Sequence, residues 1–394
     1  MRRSVLIGFA DALAAPEVAM SLGRAGHRVV SFARRGRPVA LRRLRGVEIV
    51  EVTAPEDDLA ACEREVAALT DEHDLTMPLD DPAVFVCDRA LAVDAPIAGP
   101  RRACARLALD KRLQLRAAED AGLRVPAWEE LDGEGVAATP FVLKPALAAE
   151  ARDGRLRRLA PRLVSSEAEA RELREAWGPE VPVLAQRWVS GAGAGVFGLA
   201  DADGVHHLSA HRRVRMMNPA GSGSSACASA PVPRELVEPI ERLMMEVGWR
   251  GMFMIELLRS GDEWWFMELN GRPWGSLALA RRRGFEYPAW AAARVLDEHA
   301  ELSPAPVDGE GDEDGVLCRH LGRELVHMLF VLRGPGSHTG AWPSRRATLR
   351  ALLGGERSEG RRTAWYNLEP GMRRVFFEDT WRTLVAQTWG RRRA

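Results

Sequence analysis

Read for apolar and polar positions, the first hundred residues alternate between two patterns. SVLIGF at 4–9, HRVVSFA at 27–33 and VEIVEV at 47–52 are apolar runs of strand length. Between them, AAPEVAMSLGRA at 14–25 has helical spacing with Pro16 near its start. Residues 57–72 place Leu59, Cys62, Val66 and Leu69 on one stripe. TMPLDDPAVFV reads as a further strand and the loop beyond it. Strands alternating with helices predict a parallel sheet covered by helices.

That order describes a small Rossmann-like domain. No GxGxxG follows the first strand, so nothing marks it as a dinucleotide site, and the chemistry is expected downstream. A single helix is predicted over about 103–122, with Gly122 as its stop and Pro126 just beyond. FVLKP at 141–145 and VLAQRWV at 183–189 read as strands, with a helix at 166–177 between them. ELSPAPVDGEGDEDG at 301–315 is rich in Pro, Gly and acid and reads as a linker. Beyond it, Leu317, Leu321, Leu325 and Leu329, and then Phe377, Trp381 and Val385, keep i,i+4 spacing and predict helices.

A chain of 394 residues predicts two or three domains. The formal net charge is zero, so no global field points to nucleic acid. The basic, aromatic C-terminal tail, Trp389-Gly-Arg-Arg-Arg, is expected to dock on the protein's own body. Cys62, Cys87, Cys104, Cys227 and Cys318 are scattered without a CxxC pair. This predicts buried thiols in a reducing cytoplasm rather than a disulfide framework or a zinc knuckle. His206, His207 and His211 have no zinc-site spacing. No window approaches a membrane span.

Composition changes the picture in one place. Of the 55 lysines and arginines only Lys111 and Lys144 are lysine. Arg is a planar fork and Lys a compact point charge on a thin stem, so two positions that resist the exchange suggest narrow channels to a phosphate. A second concentration lies in GMFMIELLRSGDEWWFMELNGRPWGS, 251–276, two apolar runs joined by a polar turn. With a loop of Gly261, Asp262 and Glu263, Ser260 pairs with Trp264 and Glu256 falls opposite Glu268. Asn270 points the same way, and Met254, Leu258 and Phe266 are expected on that face. Opposed carboxylates are unfavourable unless a cation lies between them, and hard oxygen ligands suit Mg2+.

With these residues in view, residues 1–300 resemble the ATP-grasp enzymes, the superfamily of biotin carboxylase, carbamoyl-phosphate synthetase and D-alanine–D-alanine ligase. DKRLQLRAAEDAGLRVP resembles the family's helix whose lysine contacts ATP phosphates, with Lys111 in that place. FVLKP resembles its hhhKP strand, with Lys144 as the second phosphate lysine. LAQRWVSG resembles the hinge that binds adenine, which makes Gln186, Arg187, Trp188 and Val189 candidates. Arg187 stands where many relatives have an acidic residue, and the loop after Lys144 has a single glycine where the family often has several.

The resemblance implies an α/β and α+β fold: a Rossmann-like pre-ATP-grasp domain (1–100), a two-subdomain ATP-grasp fold (101–300, lid about 125–190), the 301–315 linker and a mainly helical C-terminal extension (316–394). It implies ATP and one or two Mg2+, with Mn2+ as an open substitute, held through Glu256, Glu268 and Asn270. Arg272 and Lys144 would stabilise the transferred phosphoryl group. HRRVRMMNPAGSGSSACASA, 211–230, resembles a substrate-side loop, with Arg212, Arg213, Arg215, Ser222 and Ser224 as candidates. The implied activity is ADP-forming ligation of a small carboxylate to an amine or peptide. Acyl transfer to a thiol and a non-catalytic nucleotide sensor are the alternatives. A cytoplasmic protein is expected, with a homodimer left open.

Overall fold

The structure is a computed structural model and describes residues 3–131, 140–221, 223–297, 300–302, 315–335, 342–353 and 362–389. The linker expected at 301–315 and the basic tail lie mostly outside these residues. β1 (Ser4–Gly8), α1 (Ala15–Arg24), β2 (Arg28–Arg34), β3 (Val47–Val52), α2 (Leu59–Thr70), β4 (Leu75–Pro78) and α3 (Asp81–Ala90) form the first layer system. Its four strands are parallel in the order β3-β2-β1-β4. The segment after β4, expected as a loop, is helix α3. Asp80 caps it by accepting from the Ala83 N–H, and Pro82 stands in its first turn.

The expected helix over 103–122 is two helices, α4 (Ala103–Leu109) and α5 (Lys111–Asp120). Asp110 takes an extended conformation between them and caps α5, accepting from the Arg112 N–H at 2.9 Å. Apolar periodicity runs through the break, so only the cap marks it. Lys111 therefore opens a helix rather than lying within one. Its N–H donates to Ala146 O at 2.8 Å, which ties it to the segment that follows Lys144.

β5 (Trp128–Glu130), β6 (Phe141–Pro145), the hairpin β7 (Glu150–Arg152) and β8 (Arg155–Arg157), β9 (Arg162–Val164), α6 (Glu167–Trp177) and β10 (Val183–Arg187) come next. Four of these strands make a sheet in the order β5-β10-β6-β9. It packs on α6 around Phe141, Leu143, Val164, Ala170 and Val183.

The largest sheet combines β11 (Ala192–Ala200), β12 (Val205–Met216), β13 (Ser224–Ala230), β14 (Gly251–Ser260) and β15 (Glu263–Asn270), with α7 (Arg234–Glu246) between β13 and β14. After α8 (Leu277–Arg282) and α9 (Tyr287–Leu296), the C-terminal stretch adds β16 (Val316–Arg319), α10 (Leu321–Arg333), α11 (Arg345–Leu352), β17 (Arg362–Trp365) and α12 (Arg373–Trp389). The order is β15-β14-β11-β12-β13-β16-β17. The C-terminal stretch is helical as expected, but its two strands extend this sheet, and Leu317 lies in β16 rather than in a helix. The segment read as a substrate-side loop is largely β12 and β13. Gly, Ala and Ser give these strands little β-branched signal.

The C-terminal stretch is also held by charge. Glu17 of α1 is buried against Arg281 and Arg282 of α8, and accepts from the Asn367 N–H at 2.8 Å. Arg281 and Arg282 also pair with Glu369. Burial alone raises the Glu17 pKa, but the two guanidiniums outweigh it and hold the carboxyl below the ordinary glutamate range. Removing one member of such a buried cluster leaves unpaired charge, so Glu17→Gln is expected to cost about 3–5 kcal/mol in denaturant unfolding. A depressed folded-state pKa gives stability that is complete above the ordinary glutamate range and lost as pH falls through the lower value. The difference between wild type and Glu17→Gln should therefore be full at neutral pH and shrink on acidification. A difference that grew as pH fell would contradict this assignment.

Candidate active site

Glu256 and Glu268 face each other through a compensated register. The hairpin turn contains two residues, Gly261 and Asp262, so Ser260 pairs with Glu263 and not with Trp264. Gly261 has φ +61°, which suits the first central position of a two-residue hairpin turn. A bulge in β15, between the Glu256 and Leu257 pairings, then restores Glu256 opposite Glu268 and Met254 opposite Asn270. The expected carboxylate pairing is present although the expected three-residue turn is not. The bulge also sends Phe266 to the other face, into the core with Phe253, Ile255 and Leu257.

Asn270 is buried and donates Nδ2 to Glu268 Oε1 at 3.1 Å. Arg213 of β12 reaches over β11, and its Nη2 lies 2.7 Å from Glu256 Oε1. It can do so because β11 has glycine at 193, where a methyl group would lie 2.5 Å from Arg213 Cδ. Burial raises the Glu256 pKa, Arg213 opposes the rise, and Glu268 adds to it, leaving the carboxyl above the ordinary glutamate range.

Lys144 approaches this pair from the smaller sheet, and Lys111 lies at the start of α5. Lys144 ends β6, is buried, and donates Nζ to Gln186 Oε1 at 2.5 Å. Burial pushes the ammonium below the ordinary lysine range; Glu268 pulls it up, Lys111 pushes it down further, and Glu256 pulls it up. Gln186 is buried as well, and its Nε2 has no hydrogen-bond partner among the described residues. Helix α5, which begins at Lys111, is clipped to the edge of β15: Gln114 accepts from the Leu269 N–H at 2.9 Å and donates to Leu269 O at 3.1 Å. Lys111, Lys144, Glu256 and Glu268 thus share one electrostatic neighbourhood.

Arg272 follows β15 and donates Nε to Asp81 Oδ1 at 2.8 Å. Burial disfavours its charge, yet Asp81 holds the guanidinium ionised. Arg158, just past β8, donates to the same carboxylate at 3.0 Å. The β7–β8 hairpin itself docks on the first domain, with Leu59 N–H donating to Gly154 O at 2.9 Å and Leu156 N–H to Pro55 O at 2.7 Å.

Other candidates are dispersed. Arg187 spends its N–H on Ala127 O at 2.8 Å, and its guanidinium lies 5.2 Å from the Trp265 ring centroid. Trp188 is exposed and Val189 half-buried. A register shift between Arg213 and Arg215 places Arg215 against Ala226 while Arg213 stays with Cys227, so the two arginines face opposite ways. Arg215 is half-buried and pairs with buried Glu324 of α10. Arg212 is exposed beside Ala194. Ser224 pairs with Met216 and accepts at its carbonyl from Arg323; Ser222 lies outside the described residues.

Sequence reading missed four contributors: Gly193, Gln114, Asp81 and Gln186 as a partner of Lys144. The glycine alternation in AGAG, 192–195, was the one visible signal, because it clears one face of a strand.

Residues 108–276 match the ATP-grasp domain family. The chain carries an ATP-grasp domain. No curated protein matches the sequence. Among solved structures, an L-amino acid ligase from Bacillus licheniformis is similar with TM-score 0.58 and 19% identity, over 75% of this chain and 74% of that one. A biotin carboxylase from Campylobacter jejuni has TM-score 0.57 and 15% identity, over 77% and 72%. An N5-carboxyaminoimidazole ribonucleotide synthetase has TM-score 0.59 and 14% identity, and covers 91% of this chain and 98% of its own. At these identities the likeness shows the fold. The ATP-grasp family is one of ATP-dependent ligases and carboxylases that generally bind ATP with Mg2+.

The donor set of this ATP-grasp domain fits a hard cation. Among the described residues no three His, Cys, Asp or Glu side chains cluster as a metal site. Two carboxylates and an amide oxygen are what Mg2+ commonly takes when waters and phosphates complete its shell. No helix among the described residues is long and apolar enough to cross a membrane.

Lys144→Arg is expected to weaken MgADP binding about tenfold or more by calorimetry, because the forked guanidinium cannot reproduce the single contact to Gln186 Oε1. An unchanged Kd would remove Lys144 from the nucleotide site.

Proposed function

We propose that the chain is an ADP-forming carboxylate–amine ligase. The observation that supports it best is the facing pair Glu256 and Glu268, with Asn270 beside it and Lys144 within its field. A carboxylate oxygen of the substrate attacks the γ-phosphorus of ATP. The bond from that phosphorus to ADP breaks and an acyl phosphate forms. The amine nitrogen then attacks the acyl carbon, the C–N bond forms, and inorganic phosphate leaves as the amine gives up its proton.

Bound Mg2+ supplies positive charge opposite the phosphates, and Glu256, Glu268 and Asn270 would hold it. Lys111 and Lys144 would carry the phosphate oxygens. Arg272, aimed by Asp81, would stabilise charge on the transferred group. No protein nucleophile is required.

The test is ADP release from MgATP with pools of amino acids and small carboxylic acids. Amino acids come first because one similar fold belongs to an L-amino acid ligase. Stimulation by one pool, with a product equal in mass to two components minus water, is the expected result. Stimulation with a thioester product would move the acceptor to a thiol. MgATP binding without stimulation by any pool would favour a sensor. Glu268→Gln should lower turnover by at least about a hundredfold, the scale of losing one electrostatic contact to the transition state, with the fold unchanged by circular dichroism. Near-normal turnover would remove the metal assignment.

A further inference from the structure

The β7–β8 hairpin starts from the corner of the site that holds the two lysines. Lys111 N–H donates to Ala146 O, Ala148 N–H donates to Leu109 O at 2.8 Å, and β7 begins at Glu150. The hairpin then crosses to the first domain, where the Leu59 N–H holds its turn and Pro55 O its second strand. The ligase reading uses none of its residues.

A loop that grips phosphate commonly does so with successive backbone N–H groups. This segment is built differently. Residues 150–152 pair with 155–157, and the Leu156 N–H goes to Pro55 O. What the segment carries instead is arginine, at 152, 155, 157 and 158. Three of these are turned elsewhere. Arg152 pairs with Glu180. Arg155 and Arg157 are exposed on the strand face opposite buried Leu156, and Arg157 lies 3.6 Å from Asp153.

Arg158 turns to the active site. Its Nη2 donates to Asp81 Oδ2 at 3.0 Å. Arg272 Nη2 donates to the same oxygen at 3.4 Å, while Arg272 Nε holds Oδ1. One carboxylate thus joins a guanidinium of the hairpin to the guanidinium that follows β15. The charges there do not balance. Asp81 stands against two arginines, and Lys111 lies within its field as well. Neighbouring Asp80 is paired with Arg34 at 3.4 Å. Glu268 lies within the field of Arg272, and on the ligase reading it is a cation ligand. Surplus fixed positive charge in this place suits an anion, and guanidinium forks match phosphate oxygens. The Arg158 side chain is 48% exposed, and among the described residues Asp81 takes only its Nη2, so its other N–H groups are open to a ligand.

We propose that Arg158 binds the γ-phosphoryl group of ATP from the hairpin side, opposite Arg272, with Asp81 holding the two guanidiniums at a fixed spacing. This rests on the ligase reading above and adds to it a residue from outside its motifs. Docking of the hairpin on Pro55 and Leu59 sets Arg158 in place, so this segment reaches the phosphates through a side chain.

The experiment measures, by calorimetry, the affinities of wild type, Arg158→Ala and Arg158→Lys for MgADP and for the magnesium complex of the β,γ-methylene analogue of ATP. Thermal melting checks that each variant folds, and amide exchange at Leu156 reports whether the hairpin stays docked. Arg158→Ala should weaken the analogue about tenfold or more, leave MgADP within about twofold, and leave Leu156 exchange unchanged. Arg158→Lys, which keeps the charge, should recover part of the loss. Equal losses for both nucleotides, or no loss for either, would make Arg158 a docking contact and overturn the proposal. So would a loss confined to the analogue but accompanied by faster Leu156 exchange. These measurements use no carboxylic acid. An unaltered ratio in Arg158→Ala therefore sinks this assignment alone, absence of stimulated ADP release with any acid sinks the ligase reading alone, and failure of wild type to bind either nucleotide sinks both.

Discussion

Two glutamates opposed across β14 and β15 repel each other, and the surrounding structure is arranged around that repulsion. Both glutamates are half-buried, so water screens the charge only in part. The chain answers from both directions. Arg213 crosses a strand to reach Glu256, and Lys144 brings an ammonium from a separate sheet. Burial lowers the Lys144 pKa while Gln186 Oε1 fixes its nitrogen in place, whereas Glu256 holds Arg213 ionised. On the proposed function, a polyphosphate accompanied by a divalent cation would neutralise the carboxylates and the lysines at once.

The same constraint accounts for the glycines of β11. A guanidinium can span the strand between β12 and β14 only where that strand has no side chain. The clearance at Gly193 admits Arg213 to Glu256, and the His211 ring and Met254 pack over Gly195. One local composition, small residues on one face of one strand, thus supports the charge balance.

Assembly of the site draws on all parts of the chain. Asp81 in the first domain receives Arg272 from the end of β15 and Arg158 from beyond the β7–β8 hairpin. Glu17 in α1 gathers α8 and the segment after β17 around a buried cluster of charge. β16 and β17 complete the sheet from its far edge. These contacts couple the C-terminal stretch to α8, the helix that follows Arg272.

The sequence alone determined what is local or periodic. Alternating β and α units, the scarcity of lysine, and the spacing of Glu256, Glu268 and Asn270 are properties of short segments, so they were legible without coordinates. The opposed carboxylates are legible although the sequence predicts a three-residue turn where two residues stand, because the bulge in β15 restores the pairing at Glu256. Tertiary structure decided the rest. Whether Arg213 and Arg215 share a face depends on a register shift in β12, and whether helix 103–122 is broken depends on Asp110 as a cap. The partners of Arg272, Glu256 and Glu17 are 191, 43 and 264 or more positions away in the chain. Hydrophobic periodicity records which side of an element faces apolar surroundings. It carries no information about which charge lies opposite, because an ion pair needs only distance and geometry in the folded state.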